Sequence, residues 1–482
     1  MPRAPRAARV RRVVVTGVGA ISTLGPDAPS LWKGCLEGRT VVEPVPGGWR
    51  RYSDLRSQVW SPLGAAARPA SAMLGKAEGR RLDPASQMAI AAAEEAVRAA
   101  GLTLVAVDAK RRTFRIDGWD GERLGVFMGT GASGLFTMVS NTGHVAMARP
   151  RRRLAAVAER LAAKPEPGKR EAAVGGAARA RAALAAELEG IAEELVFADV
   201  FNPFVVASGM GNALSANLSI KLGAHGPTPT FAAACAAGTI AVGRAFRAIR
   251  DGECDAAVAG GSEYMNDPWG AIFRGFDATG ALAHGDFPRD RINRPFDESR
   301  CGFLFSEGGA AVLVLEELGA ALARGAPRLA EVSGYGEASD AHDLMAVEPS
   351  GAQIRRAIAA ALSDAGIDGA DVGYVNAHGT GTAGNDGVEA DAIAAVVGRQ
   401  ALVNSTKSLL GHSLGASGAL EAVVTTLTLR DQVVHPSLNV ERPVADLAFP
   451  RARTRASVRH AISQSVAFGG HNAVLALSRL EK

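Results

Sequence analysis

The sequence predicts an α/β protein made of two similar halves. Short apolar runs that suit buried strands alternate with glycine-rich turns and amphipathic helices, which is the pattern of α/β folds. The alternation occurs in two rounds, the second starting near Arg328. Because no plain sequence repeat accompanies the rounds, we interpret them as a duplicated architecture rather than a tandem array.

The first round is predicted from apolar runs bounded by turn and capping signals. Asp83 with Pro84 is a helix start signal and Gly101 a stop signal. The predicted elements, in order, are strand Arg12–Val18, turn Gly19–Pro26, helix Leu82–Ala100, strand Leu124–Met128, the loop Gly129–Gly134, strand Cys254–Glu263 running into a glycine turn, and strand Gly309–Leu315. The Gly129–Gly134 loop lacks the G-x-G-x-x-G spacing, so we do not expect a dinucleotide cofactor.

The second round is predicted in the same way. Its elements are strand Arg328–Tyr335, helix Gly351–Ala365, strand Asp371–Asn376, strand Ala401–Ser405, helix Gly415–Arg430 and strand Val474–Leu477.

A segment of different composition interrupts the first round. From about residue 145 to residue 194 the chain is rich in Ala, Arg, Lys and Glu, and Lys164–Gly168 separates two helical stretches. We expect an inserted pair of surface helices. Packing on the body of the protein and docking of a partner both remain open as roles.

The composition excludes several classes of protein. With 482 residues, 47% of them hydrophobic and 21% charged, the chain suits a globular enzyme with a large core. No apolar run approaches the roughly 20 residues of a spanning helix, so we expect no membrane association and a cytoplasmic protein. Four cysteines without paired spacing argue against disulfides and a metal site, and a net charge of +4 with 5% aromatic residues argues against nucleic-acid binding.

Cys235 is the candidate nucleophile. It lies among small residues, directly before a stretch from Ala236 to Arg250 in which apolar residues recur at helical spacing. A helix N-terminus favours a thiolate by about 0.3–1 kcal/mol. Lowering the pKa of a thiol from about 8.5 to about 7 requires roughly 2 kcal/mol, so a base or further N–H donors should lie elsewhere in the chain.

Two histidines are candidates for the base or donor that would assist the thiol. His378 follows a predicted strand and enters a loop rich in glycine and threonine, and His412 precedes the predicted helix that begins at Gly415. An imidazole at such a place can accept a proton or donate to a carbonyl oxygen. Either histidine alone is more readily explained as a capping or core residue.

Together these residues carry a family resemblance. Cys235 in A-C-A-A-G, His378 in N-A-H-G-T-G-T, and Lys407 with His412 in K-S-L-L-G-H resemble the motifs of β-ketoacyl-[acyl carrier protein] synthases. The stretches Asn293–Gly309 and Ala467–Asn472 support this resemblance, which runs from about Arg12 to Leu480 apart from the insertion.

The resemblance implies the thiolase fold, with two similar α/β halves in a five-layered α-β-α-β-α arrangement. The chain then divides into a flexible basic tail at residues 1–11, an N-terminal half at residues 12–318 with the nucleophile and the insertion, and a C-terminal half at residues 326–482 with both histidines.

The resemblance also implies residue roles. Cys235 is expected to be the nucleophile, His378 and His412 to form the decarboxylation site, and Lys407 to hydrogen-bond within that cluster. Further expected roles are Glu389 as a buried structural carboxylate, Thr380 and Thr382 as ligands of the phosphopantetheine arm, and the backbone N–H groups of Cys235 and Phe468 as the oxyanion hole.

The sequence departs from the family pattern at a few positions. Ala467 replaces a glycine of a mobile loop, so we expect stiffer motion there. Cys301 takes the place of a common aspartate and is interpreted as structural. Ala132 falls where many relatives carry a larger residue that lines the acyl pocket, so we expect room for a long or bulky primer.

The activity implied is a decarboxylative Claisen condensation of a Cys235-bound acyl chain with malonyl-acyl carrier protein in fatty acid or polyketide biosynthesis. Phosphopantetheine would arrive on the carrier protein, with no tightly bound cofactor and no metal. We expect a homodimer, or a heterodimer with a ketosynthase-like subunit. The alternatives are an acyltransferase without decarboxylation, a chain-length-setting partner subunit, and a thiolase, which normally has a second reactive cysteine near its C-terminus.

Overall fold

A ten-stranded mixed sheet forms the centre of the protein. The computed structural model describes residues 10–50, 54–76, 78–162, 174–194 and 201–481. The strands of this sheet are β1 (Val13–Ile21), β2 (Leu124–Thr130), β3 (Thr230–Ala232), β4 (Ala256–Tyr264), β5 (Gly308–Glu317), β6 (Ala330–Ser339), β7 (Val372–Asn376), β8 (Leu402–Asn404), β9 (His460–Ala467) and β10 (His471–Ser478).

The sheet consists of two five-stranded halves with the same topology. Its strand order is β8-β7-β9-β10-β6-β1-β5-β4-β2-β3. Each half has five strands, which we number by their order along the chain within that half. Counted outward from the central β6–β1 pair, both halves have the spatial order first, fifth, fourth, second and third. Within each half, the first strand pairs antiparallel with the fifth and the fifth pairs antiparallel with the fourth, while the fourth–second and second–third pairs are parallel. The central β6–β1 pair is antiparallel. The duplicated architecture predicted from the two rounds is therefore present.

Fourteen helices are found in the described part of the chain. They are α1 (Ala28–Leu36), α2 (Gly47–Arg50), α3 (Pro84–Ala99), α4 (Leu135–Ala162), α5 (Val174–Glu194), α6 (Val205–Gly209), α7 (Ala213–Leu222), α8 (Ala237–Arg250), α9 (Ala271–Ala278), α10 (Leu318–Ala323), α11 (Ala352–Ala365), α12 (Ala383–Val396), α13 (Lys407–Leu410) and α14 (Ser417–Asp431). Short two-stranded ladders pair Glu43–Pro44 with Val59–Trp60, Leu104–Asp108 with Thr113–Ile116, and Val433–Val434 with Thr454–Arg455.

The helices and the two half-sheets form five layers. α8 and α14 lie in the middle, where α8 packs on β2 and β4 of one half and on β6 and β10 of the other. α14 likewise contacts both β5 and β9, and it is buried along nearly its whole length. α3 covers the outer face of the first half and α11 that of the second. This is the α-β-α-β-α arrangement that the sequence predicts.

The first three residues of the predicted turn Gly19–Pro26 belong to a strand instead, and the turn itself spans Ser22–Gly25. β1 continues to Ile21 and includes Gly19. The residue is a glycine because α3 crosses so closely that a Cβ there would lie 2.0 Å from the Ala92 carbonyl oxygen. In β4 a Cβ on Gly260 would lie 1.9 Å from the Ala311 carbonyl oxygen. These glycines permit close packing between elements, which the local sequence does not distinguish from a turn.

β9 was not predicted from the sequence. Its centre contains Ser463, Gln464 and Ser465, which are all buried. Gln464 donates to Glu389, and the Ser465 hydroxyl lies 2.8 Å from the Thr239 hydroxyl. Polar residues with buried partners remove the apolar run by which a central strand is recognised.

The insertion forms two helices that pack against each other. α4 and α5 cover most of residues 145–194, and α4 also contacts α6. The predicted breaker Lys164–Gly168 and the tail at residues 1–9 lie outside the described residues. No helix among the described residues is long and apolar enough to cross a membrane.

Candidate active site

Cys235 lies on a sharp turn between β3 and α8. The turn Ala234–Ala236 is a 3₁₀ helix, and Ala234 has a φ of +44°, a left-handed conformation that a residue with a Cβ adopts at a cost. This conformation turns the chain from the strand directly into the helix. The cysteine is placed at the helix N-terminus as predicted, and its side chain is buried and lines a cavity.

His412 hydrogen-bonds to Cys235. Its Nε2 lies 3.0 Å from Cys235 Sγ, and its Nδ1 lies 2.9 Å from Ser417 Oγ. Burial raises the pKa of Cys235 to about 12, with Lys407 opposing this effect, and burial holds the pKa of His412 well below its usual range. The resting pair is therefore a neutral thiol and a neutral imidazole. The S–H donates to Nε2, and Nδ1–H donates to Ser417.

Because burial raises the pKa of the thiol, the helix N-terminus falls further short of activating it than the sequence suggests. The structure instead places an imidazole acceptor within direct hydrogen-bonding distance of Sγ.

Lys407 fixes the orientation and the tautomer of His378. Its ammonium group donates to His378 Nδ1 at 3.1 Å, to the His378 carbonyl oxygen at 2.8 Å and to Glu421. Nδ1 must therefore accept, so the proton of the neutral ring is on Nε2. Burial, followed by the positive charge of Lys407, holds the pKa of His378 well below its usual range. His378 is thus a fixed N–H donor.

Glu389 supports the loop of His378 from below. It is fully buried, and its two oxygens accept the backbone N–H groups of His378 at 2.6 Å and Gly379 at 2.7 Å. Asn385 and Gln464 donate to the same carboxylate. The predicted structural glutamate therefore lies directly behind the histidine, where it holds the backbone.

A cavity of about 650 Å³ joins the predicted site residues. Cys235, His378, His412 and Phe468 line it, and Phe468 lies in the turn between β9 and β10. Thr380 and Thr382 also line the cavity, with their hydroxyl oxygens 2.9 Å apart.

The three reactive side chains are close enough to be considered as metal ligands. Ligand atoms of Cys235, His378 and His412 lie within 4.8 Å of one another, the only such group within the described ranges. The donor set nevertheless does not suit a cation. Lys407 keeps the proton of His378 on Nε2, the nitrogen that would have to bind the ion, and its own positive charge lies next to that ring.

Ala132 lies apart from these residues. Its side chain is exposed and does not line the cavity of Cys235 in the single chain. Its role in an acyl pocket stays a prediction. Cys301 does line the cavity, with its side chain half-buried.

Two contributors to the site were missed in the sequence. Glu421 is the ion-pair partner of Lys407, and both side chains are buried. Ser417 is the partner of His412. Glu421 did leave a signal, because it is the only charged residue between Ser417 and Leu429 in a helix of otherwise small, apolar and hydroxyl residues. A single charge in such a helix indicates a buried partner.

Comparison with known proteins decides the family. The family model "Beta-ketoacyl synthase, N-terminal domain" matches residues 10–321, and "Beta-ketoacyl synthase, C-terminal domain" matches residues 329–441. The chain belongs to the β-ketoacyl synthase family. The resemblance drawn from the motifs and the predicted class of enzyme are confirmed.

Relatives match this synthase over nearly its whole length. 3-Oxoacyl-[acyl-carrier-protein] synthase 2 of Synechocystis is 32% identical, covering 98% of this chain and 99% of the relative. A β-ketoacyl synthase of Burkholderia phymatum superposes with a TM-score of 0.77 at 28% identity, covering 98% of this chain and all of the other. A type II polyketide ketosynthase, solved with its acyl-carrier protein, gives 0.74 at 26% identity with the same coverage. The thiolase fold is thereby confirmed.

Proposed function

We propose that this synthase condenses a Cys235-bound acyl chain with malonyl-acyl carrier protein, giving a 3-oxoacyl-acyl carrier protein and carbon dioxide. One observation supports this above the others. A thiol and two neutral imidazoles from different halves of the chain meet at the end of one cavity, with reactive atoms within 4.8 Å. One imidazole has a lone pair directed at the thiol, and the other is fixed as an N–H donor.

In the first half-reaction, Cys235 takes the acyl chain. As Sγ attacks the thioester carbon, the thiol proton passes to His412 Nε2, 3.0 Å away. The bond between the carbonyl carbon and the carrier sulfur breaks, and His412 returns the proton to the leaving thiolate. Backbone N–H groups of Cys235 and Phe468 would hold the tetrahedral oxyanion.

In the second half-reaction, malonyl-carrier protein loses carbon dioxide. The electron pair of the broken carbon–carbon bond moves to the thioester oxygen, where His378 Nε2–H and His412 can donate. The resulting enolate carbon attacks the acyl carbonyl, the bond to Sγ breaks, and the thiolate takes up one proton from solvent, which is the proton that the overall decarboxylative condensation consumes.

His412 must present a lone pair in the first step and an N–H in the second. Ser417 makes this change available. Its oxygen already accepts the Ser413 N–H at 3.0 Å, and its hydroxyl can either donate to His412 Nδ1 or rotate to accept from it. The serine therefore accommodates both tautomers of His412 without movement of the ring.

Thr380 and Thr382, which line the cavity, are proposed to hold the phosphopantetheine arm of the carrier protein. A solved relative contains a ketosynthase with its acyl-carrier protein, which supports a carrier protein as the partner here. Assembly as a homodimer, the absence of a tightly bound cofactor and a cytoplasmic location remain predictions from the sequence.

The alternatives are an acyltransferase without decarboxylation and a non-catalytic subunit that sets chain length. The fixed Nε2–H of His378 disfavours the first, because transfer alone needs no second donor above the thioester oxygen. The His412–Cys235 hydrogen bond disfavours the second, because a non-catalytic subunit needs no activated thiol.

The test is to incubate the protein with acyl- and malonyl-carrier protein, measuring carbon dioxide and the mass of the carrier-bound product. We expect equal amounts of carbon dioxide and 3-oxoacyl product. A His378→Ala variant should still be acylated on Cys235 but release carbon dioxide about 10²–10⁴-fold more slowly. Acyl transfer without carbon dioxide release by the unmodified protein would reject the proposal.

A further inference from the structure

A buried carboxyl group lies behind the nucleophile and takes no part in the chemistry described above. Glu263 is near the end of β4 and 2% exposed. Burial raises its pKa to about 8, against the opposing effect of backbone N–H donors from Gly131, Ala132 and Gly415. A buried acid that three backbone donors approach holds backbone in place.

The donors come from both halves of the protein. Glu263 Oε2 accepts the N–H of Gly131, at the end of β2, and that of Gly415, at 3.3 Å, in the turn that follows His412. Oε1 lies 3.3 Å from the Thr130 hydroxyl oxygen and 3.4 Å from the Ala132 nitrogen. One oxygen thus joins a turn of the N-terminal half to a turn of the C-terminal half.

The two turns touch backbone to backbone. A Cβ on Gly415 would lie 2.2 Å from the Gly131 nitrogen and 2.7 Å from Glu263 Oε2. No side chain can separate the turns, and the carboxyl oxygen that accepts one N–H from each turn joins them at this close distance.

Each turn leads to one member of the thiol–imidazole pair. β2 pairs with β3, which runs into the turn of Cys235, and a Cβ on Gly129 would lie 2.3 Å from the Ala237 carbonyl carbon. On the other side, the 3₁₀ turn Leu414–Ala416 leads into α14, whose Ser417 binds His412 Nδ1. A change in the distance between the turns is therefore transmitted to the distance between Sγ and Nε2.

We propose that Glu263 is a positioning residue, whose oxygen joins Gly131 to Gly415 and thereby keeps His412 within hydrogen-bonding distance of Cys235. The inference deepens the proposed function but is tested without its substrates. Two N–H groups converge on one oxygen, so this role depends on how far the side chain extends that oxygen from the backbone and not on the charge of the group. Glu263→Gln keeps the reach, whereas Glu263→Asp keeps the acid and withdraws it by about 1.5 Å.

The test uses iodoacetamide and measures the alkylation rate of Cys235 by peptide mass spectrometry at neutral pH. We expect Glu263→Gln to stay within about threefold of the unmodified protein and Glu263→Asp to be slower by about tenfold to a hundredfold. Thermal unfolding is measured in parallel. Alkylation needs no carrier protein, so the outcome stands whether or not the protein condenses acyl chains.

The matched control is Glu94→Asp. Glu94 is also buried and also accepts a backbone N–H, that of Ala72 at 2.8 Å, but it lies in α3 away from the cavity. It should lose stability without slower alkylation. The proposal would be overturned if Glu263→Asp left the alkylation rate of Cys235 unchanged. It would also be overturned if Glu263→Gln slowed alkylation as much as Glu263→Asp does. If Glu263→Asp does not fold, the folded Glu263→Gln variant decides. Alkylation of Cys235 that is more than tenfold slower in this variant overturns the proposal, and an alkylation rate within threefold of the unmodified protein supports it.

Discussion

His412 and Cys235 define the chemistry at the scale of single residues. Burial raises the pKa of the thiol to about 12, so at neutral pH the thiolate is rare unless a neighbouring group takes the proton. His412 Nε2 is 3.0 Å from the sulfur and is neutral, because burial also lowers the pKa of this imidazole. The reactivity of Cys235 should therefore depend on His412.

The first prediction concerns His412→Ala. At neutral pH the alkylation of Cys235 by iodoacetamide should fall by about 10²–10⁴-fold, because the proton acceptor is gone. The rate should keep rising with pH beyond pH 10, since the thiol pKa stays near 12. Cys301 lines the same cavity and serves as an internal control whose rate should not change. An unchanged rate at pH 7 would contradict the account.

The sequence was sufficient to select the candidate side chains but not their distances. Cys235, His378, Lys407 and His412 each lie in a motif that can be recognised locally. The 3.0 Å contact between Cys235 and His412 joins residues 177 positions apart and results from packing of the two halves. Ala132 is expected in the acyl pocket because many relatives carry a larger pocket-lining residue there, and in the single chain its side chain is exposed.

At the scale of elements, the Lys407–Glu421 pair joins α13 to α14. Both side chains are buried, and the ammonium also holds His378. Burial raises the pKa of Glu421 to about 7 while Lys407 opposes the rise. Removing the lysine alone leaves a carboxyl group in the core without its cation.

The second prediction follows from this pair. Lys407→Met should lower the free energy of unfolding by about 3–5 kcal/mol, whereas Lys407→Met combined with Glu421→Met should recover most of that loss. Urea unfolding of the two single variants and the double variant measures the coupling. The exposed pair Arg399–Asp446 is a control whose removal should have little effect. Additive losses at positions 407 and 421 would contradict a coupled pair.

Elements were predictable where their signals are local. The helix capped by Asp83 and the apolar strands β5 and β7 follow from pattern alone. Gly19 was misassigned to a turn because the reason for this glycine is the approach of another element. β9 was missed because the partners of its buried polar residues lie elsewhere in the chain.

At the scale of the whole molecule, the site lies where the two halves meet. Cys235 comes from the first half and both histidines from the second, and α8 and α14 pack side by side between the half-sheets. Burial of ionisable groups at this junction links stability to pH. A buried neutral histidine loses its contribution to stability as pH falls, whereas a buried protonated carboxyl group loses its contribution as pH rises. The two effects oppose each other, so the contribution of one group must be isolated by substitution.

The third prediction isolates His435, which is fully buried and whose pKa is lowered to about 4 by burial. The unfolded chain takes up a proton near pH 6.5 and the folded chain does not, so this contribution to stability is complete above pH 6.5 and is lost as pH falls towards 4. Urea unfolding should show the unmodified protein losing about 1.5 kcal/mol relative to His435→Gln between pH 6.5 and pH 5. Parallel losses in the two proteins would contradict the assignment.

The central claim is that Cys235 holds the acyl chain between two carrier proteins. The most direct measurement is a pulse with acyl-carrier protein alone, followed by peptide mass spectrometry, and then a chase with malonyl-carrier protein. We predict one acyl group per chain, located on Cys235, which the chase removes as carbon dioxide and 3-oxoacyl product appear together. Acylation at another residue, or full condensation by a Cys235→Ala variant, would contradict the claim.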